Sequence, residues 1–104
     1  MGRVGCHDYP QLERKARELA RLGKIRYSRH AYAQMKERKI DRAEIKYVLM
    51  NARINPEQGR TRLEPEHTSP SYAFEGKTWE GRRLRIVAAV SELLRVITVI
   101  DLDK

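Results

Sequence analysis

Residues 28–45 read Ser-Arg-His-Ala-Tyr-Ala-Gln-Met-Lys-Glu-Arg-Lys-Ile-Asp-Arg-Ala-Glu-Ile, and this stretch decides the fold. It holds two helix starts in close succession. Ser28 suits an N-cap, whose hydroxyl accepts from an otherwise unpaired first-turn amide, and Tyr27 and Tyr32 occupy the positions of a hydrophobic staple. Asp41 and Glu44 have the spacing of a capping box, with Ile40 and Ile45 as the matching staple. The first helix carries an apolar stripe of Ala31, Tyr32 and Met35 and stops near Lys39. In the second, Ile45, Val48, Leu49 and Ala52 make one buried face that ends near Ala52. Joined this closely, the two predict an αα-hairpin.

Upstream, Pro10 opens a further helix running to about Leu22, with Leu12, Ala16, Leu19 and Ala20 on one face and Gly23 as its stop. Residues 1–8 read as a frayed end, and Ile25-Arg26-Tyr27 as a short extended piece. Downstream, residues 55–71 hold three of the four prolines and no periodic pattern. They predict a long loop, preceded by a short strand at Arg53-Ile54. Three strands follow, Tyr72 to about Trp79, Leu84 to Val90 and Leu94 to Asp101, with turns at Glu80-Gly81 and Ser91-Glu92. The last two are apolar on both faces at mid-length, which places them centrally in a sheet. The expectation is one α+β domain over 1–104, with N-terminal helices packed on an antiparallel sheet of three to four strands.

A chain of 104 residues with 40% hydrophobic content can fill one small core, while 35% charged residues demand a heavily solvated surface. The net charge of +8 is unevenly placed: residues 1–56 carry 14 Lys and Arg against 6 Asp and Glu, and residues 57–104 carry 8 of each. The helical half holds the whole excess, which suits a polyanion or an acidic protein partner. Solvation and helix-supporting pairs such as Glu13–Arg17 and Arg14–Glu18 are the plainer explanation. A single cysteine, Cys6, excludes an intrachain disulfide and fits a reducing, cytoplasmic setting. The first 25 residues are charged and lack the apolar run of a secretory signal, and no apolar run approaches a membrane span. Gly2 is no myristoylation signal, because Cys6 stands where Ser or Thr is needed.

His30 is the first candidate for chemistry. Histidine changes charge near neutral pH and serves as acid, base or phosphate ligand. The alternative is a half-buried histidine bonded to a neighbouring strand. Arg29 and Arg38 bracket the same helix, and Lys36, Lys39, Arg42 and Lys46 extend the positive surface. Singly these are solvated charges; together they suit a patch that tracks a phosphate backbone. A second cluster forms where Lys77 and Arg82-Arg83-x-Arg85 meet at a strand turn near Trp79 and Tyr72. Arginines beside an aromatic suit an unpaired RNA base, although Trp79 could equally cap the core beneath snorkelling arginines. Cys6-His7-Asp8 and Glu64, Glu66 and His67 lack zinc-site spacing, so no metal site is expected. No phosphate loop, dinucleotide fingerprint or nucleophile elbow is present, and no cofactor is expected.

Tyr27-Ser-Arg-His-Ala-Tyr-Ala-Gln-Met-Lys-Glu-Arg-Lys-Ile-Asp, Tyr72-Ala-Phe-Glu-Gly and Val96-Ile-Thr-Val-Ile resemble the pattern of a family of small bacterial domains. Its members pair a Ser-x-His-Ala…Met…Glu-Arg-x-Ile helix with a capped helix, an aromatic-rich hairpin and a final Ile-Thr-Val strand. The likeness spans half to two thirds of the chain, leaving out the first helix and the proline loop. This family looks related to the RelE/ParE-like toxins of toxin–antitoxin pairs, nearer the BrnT and MqsR branches. The resemblance implies an α+β fold with a curved antiparallel sheet and a metal-independent mRNA endoribonuclease held in check by an antitoxin. In such enzymes the ribose 2′-OH attacks the adjacent phosphate, aided by a base, a cation and an acid. His30 is carried over by motif position, and Arg38 sits in the matching Glu-Arg pair, where it could instead brace the helices. Arg85, with Lys77 and Tyr72, is added from chemistry alone. Non-enzymatic alternatives are a module binding nucleic acid or an antitoxin, and a toxin acting on a protein target.

Overall fold

The computed structural model describes residues 9–55 and 71–103. The expected frayed end at 1–8 and nearly all of the expected proline loop lie outside the described residues. Three helices, α1 (Tyr9–Arg21), α2 (Arg29–Arg38) and α3 (Arg42–Asn51), cover one face of a sheet built from β1 (Ile25–Tyr27), β2 (Arg53–Ile54), β3 (Ser71–Lys77), β4 (Arg83–Val90) and β5 (Leu94–Asp101). The α+β class and the N-terminal helices stand as expected. Among the described residues the sheet has five strands in the order β1-β5-β4-β3-β2 and is mixed, because β1 runs parallel to β5 while the other pairings are antiparallel.

The helix ends follow from local chemistry. At the end of α1, Gly23 takes φ 77°, a left-handed conformation that glycine adopts without steric penalty. The Lys24 amide then bonds the Leu19 carbonyl at 2.9 Å and the Gly23 amide bonds that of Ala20 at 3.0 Å, which is a Schellman motif. Ser28 Oγ accepts the Ala31 amide at 3.0 Å, and the Tyr27 and Tyr32 rings meet with centroids 5.7 Å apart. The capping box is complete: Asp41 accepts the Glu44 amide at 2.9 Å, and Glu44 accepts the Asp41 amide at 3.1 Å. Ile40 and Ile45 are both buried, as a staple requires.

Residues 39–41 alone connect α2 to α3, yet the two do not lie side by side as a packed hairpin. Helix α3 packs on α1 and β3, whereas α2 packs on β5. The core lies between helices and sheet, with Ile45, Val48 and Leu49 set against Phe74, Leu84, Ile86, Leu94, Val96 and Val99. At Gly76 the chain admits α3 closely: a Cβ there would stand 3.3 Å from Val48 Cγ1 and 3.4 Å from the Ala52 Cα.

Strand β1 covers only the first part of the β5 edge, and α2 completes the task. The Ser28 amide bonds the Val96 carbonyl at 2.9 Å, Ser28 Oγ donates to the Ile97 carbonyl at 3.1 Å, and Gln34 Oε1 accepts the Val99 amide at 2.8 Å. The Ser28 cap and the Gln34 side chain of α2 thus satisfy groups that a further strand would otherwise pair.

Candidate nucleic-acid interface

Strand register decides where the strand cations go. Leu84 and Ile86 pair with Asp101 and Val99 on the helix-covered face, so Arg85, between them, faces the other way. There it is opposite Glu75, and Arg85 Nε donates to Glu75 Oε2 at 2.7 Å. The same carboxylate accepts from Asn55 Nδ2 at 3.0 Å. Burial raises the Glu75 pKa, but the hydrogen bonds from Asn55 and Arg85 and the charges of Arg85 and Arg83 outweigh it, and the net shift is downward.

Its neighbours in sequence are tied in the same fashion. Arg82 Nε lies 3.3 Å from the buried Asp101 carboxylate, and Arg82 Nη1 is buried with no hydrogen-bond partner. Arg83 forms a paired contact with Asp103 at 3.0 Å, which with the Arg83 amide holds the Asp103 carboxyl below its ordinary range. The three arginines of the expected RNA-facing cluster are therefore each matched to an acid. Trp79, by contrast, is 53% exposed and meets the Tyr47 ring edge-on with centroids 5.5 Å apart. Lys77 is exposed and pairs in register with Arg83. Tyr72 does not join them: it is buried near the opposite end of β3, with its ring against that of Tyr9 at 6.2 Å.

On α2, His30 and Arg29 are exposed, as is Lys36. His30 has no hydrogen bond or ion pair among the described residues, which favours an available imidazole over one bonded to a strand. Arg38 is half-buried, 3.6 Å from the Glu37 carboxylate. It follows His30 by eight residues, about 12 Å along the helix axis. His30 and Arg85 are also separated by the sheet, since α2 buries Ala31 and Met35 in the core on the face opposite to Arg85. The expected catalytic set of His30, Arg38 and Arg85 is thus not gathered at one point.

A different cluster is gathered. Arg42, the first residue of α3, hydrogen-bonds the Tyr32 hydroxyl, and its guanidinium lies 5.5 Å from the Tyr32 ring centroid and 6.0 Å from that of Tyr27. Cation–π attraction and the hydrogen bond fix the charge in place. Tyr27 is half-buried, and that burial pushes its phenol pKa up, against the opposing effect of Arg42. Beside these groups lies a groove of about 240 Å³ lined by Gly23, Ile25, Tyr27, Arg42, Ala43 and Lys46. The sequence marks Tyr27 and Tyr32 as a staple and Arg42 and Lys46 as surface charge. Their meeting depends on the angle between α2 and α3 across the three-residue turn, which the caps that mark the turn do not set.

His30 and Tyr32 are two residues apart on α2, about 160° around its axis. The histidine therefore sits on the flank away from the tyrosine–arginine cluster. No helix among the described residues is long and apolar enough to cross a membrane.

No curated protein and no solved structure matches the chain. One family does match, over residues 27–101, which takes in everything from the Ser28 cap to the end of β5. By that match the chain belongs to the family described as Domain of unknown function (DUF4258).

Proposed function

We propose that this protein is the toxin-like component of a toxin–antitoxin pair and acts in the cytoplasm as a metal-independent endoribonuclease on mRNA. The observation that carries the reading is His30: exposed and unpartnered among the described residues, next to Arg29, in the half of the chain that holds the entire charge excess. In this reading His30 exchanges a proton with the ribose 2′-OH or the leaving oxygen, and Arg29 steadies the charge that builds on the phosphate. Arg85 takes no part, because Glu75 holds it on the other side of the sheet.

Incubating the chain with single-stranded RNA in the presence of a chelator tests this directly. Cleavage leaving 2′,3′-cyclic phosphate ends is expected, and His30→Ala should slow it by about 100-fold or more, the usual contribution of one acid or base. Unaltered RNA, or equal cleavage by the variant, refutes the catalytic reading.

The separation of His30 from Arg38 and Arg85, and the acids paired with Arg82, Arg83 and Arg85, favour a second reading. In it the chain is a non-catalytic module that holds RNA or an acidic antitoxin on its basic helices. Binding that weakens steeply with salt, with the RNA left intact, is its signature.

A further inference from the structure

We infer that the groove between β1 and the start of α3 is an anion site that takes one phosphate group of an RNA backbone. The assignment deepens the RNA reading above and rests on it.

Two cations, Arg42 and Lys46, line the groove, and among the described residues no carboxylate does. Arg42 is held by the Tyr32 hydroxyl and by two ring faces, so little freedom remains to be lost when a ligand arrives. Lys46 lies one helical turn further along α3, exposed and without a partner among the described residues. The Tyr27 phenol, pushed up by burial, stays protonated near neutral pH and offers a donor rather than a competing charge. Gly23 forms part of the wall without a side chain, and a Cβ there would meet nothing within 4 Å, so the mouth is open.

Size points to a part of a longer ligand. The groove's volume of about 240 Å³ is below the ~300–1,000 Å³ typical of pockets that enclose a whole small molecule. A second hollow of about 380 Å³ adjoins it, sharing Gly23 and Ile25 and adding Lys24, Arg26, Leu93 and the acidic Glu92. A polymer gripped at Arg42 and Lys46 can continue along β1 over Lys24 and Arg26, two cations set against the one carboxylate of Glu92. Because His30 lies on the far flank of α2, the groove and the histidine are separate contacts.

The test uses the full chain labelled with nitrogen-15 and carrying His30→Ala, so that the RNA survives. Titration with a single-stranded RNA oligonucleotide should move the amide signals of Gly23, Tyr27, Ala43 and Lys46. Lys46→Glu should weaken binding at least tenfold more than Lys15→Glu, which makes the same charge change on the exposed surface of α1. Inorganic phosphate is the second probe: shifts of the same amides mean that the phosphate group alone suffices, and shifts with RNA alone mean that the chain beyond it is also read. RNA binding that leaves these amides unmoved, with Lys46→Glu and Lys15→Glu equally weak, overturns the groove and spares the RNA reading. Groove shifts with phosphate but no RNA binding overturn the RNA reading instead. No response to either probe overturns both.

Discussion

Replacing Arg82 with methionine should destabilise the fold while leaving RNA affinity almost untouched. At 3.3 Å from Asp101, the attraction between the two charges is about 5 kcal/mol at an effective dielectric near 20. Removing one member of a buried pair leaves the other uncompensated, at a loss of about 3–5 kcal/mol. The Asp101 side chain is only 3% exposed, but that of Arg82 is 32% exposed, so solvent already screens part of the interaction and the lower end applies. The expected loss is about 3 kcal/mol, a fall in Tm of about 12 °C for a domain of this size. Arg82→Met combined with Asp101→Leu should recover most of it. The buried Asp101 charge and its half-buried partner are then both gone, together with the unpaired Arg82 Nη1, and the chief remaining loss is the Asp103 amide bond to Asp101 at 2.9 Å. That residual deficit is about 1 kcal/mol. Urea unfolding of the wild type, two single variants and the double variant gives the coupling directly. An Arg82→Met variant within about 0.5 kcal/mol of wild type, as for an ordinary surface change, or one that loses RNA affinity at unchanged stability, refutes a structural role for Arg82.

Three further outcomes are expected. Gln34→Leu strands the Val99 amide at the β5 edge, costing about 1–3 kcal/mol; faster hydrogen exchange at Val99 together with a lower urea midpoint checks it. Gly76→Ala brings a Cβ to 3.3 Å from Cγ1 of the fully buried Val48, tighter than ordinary contact, at an expected loss of about 1–3 kcal/mol measured by thermal unfolding. Glu75 has a folded pKa below its ordinary 4.5, so it binds a proton less readily when folded, and the stability it contributes is full above pH 4.5 and fades as pH falls through the lower folded value. Glu75→Gln should therefore flatten the acid side of the stability–pH curve, and an unchanged acid slope contradicts the assignment.

What the chain discloses locally it discloses well. The Ser28 cap, the Asp41–Glu44 box, the Ile40–Ile45 staple and the Gly23 stop all rest on interactions spanning at most five residues, so spacing alone finds them. The strand meander is equally readable from its turns and apolar runs. The parallel pairing of β1 with β5 is not, because Ile25 and Leu94 meet only through the tertiary fold. Nor does spacing choose α1 over α2 as the packing partner of α3. The acid partners of the arginine cluster were hidden from spacing for a related reason. Whether Arg85 meets solvent or Glu75 is settled by cross-strand register, and a slip of one residue reverses the answer. The exposure of His30, by contrast, follows from its place off the apolar stripe of a single helix.

The bond from Ser28 to Ile97 spans 69 positions of sequence, which sets an order of events as the polypeptide collapses. Strands β3, β4 and β5 follow one another through short turns and can zip together early, whereas stitching β1 and α2 to the flank of β5 must wait for a far larger ring to close. Until then Leu94–Ile100 presents an unsealed hydrophobic border to any neighbouring molecule, so crowding during refolding should favour clumping at that step. The serine and glutamine that seal the border act in this sense as guardians of solubility.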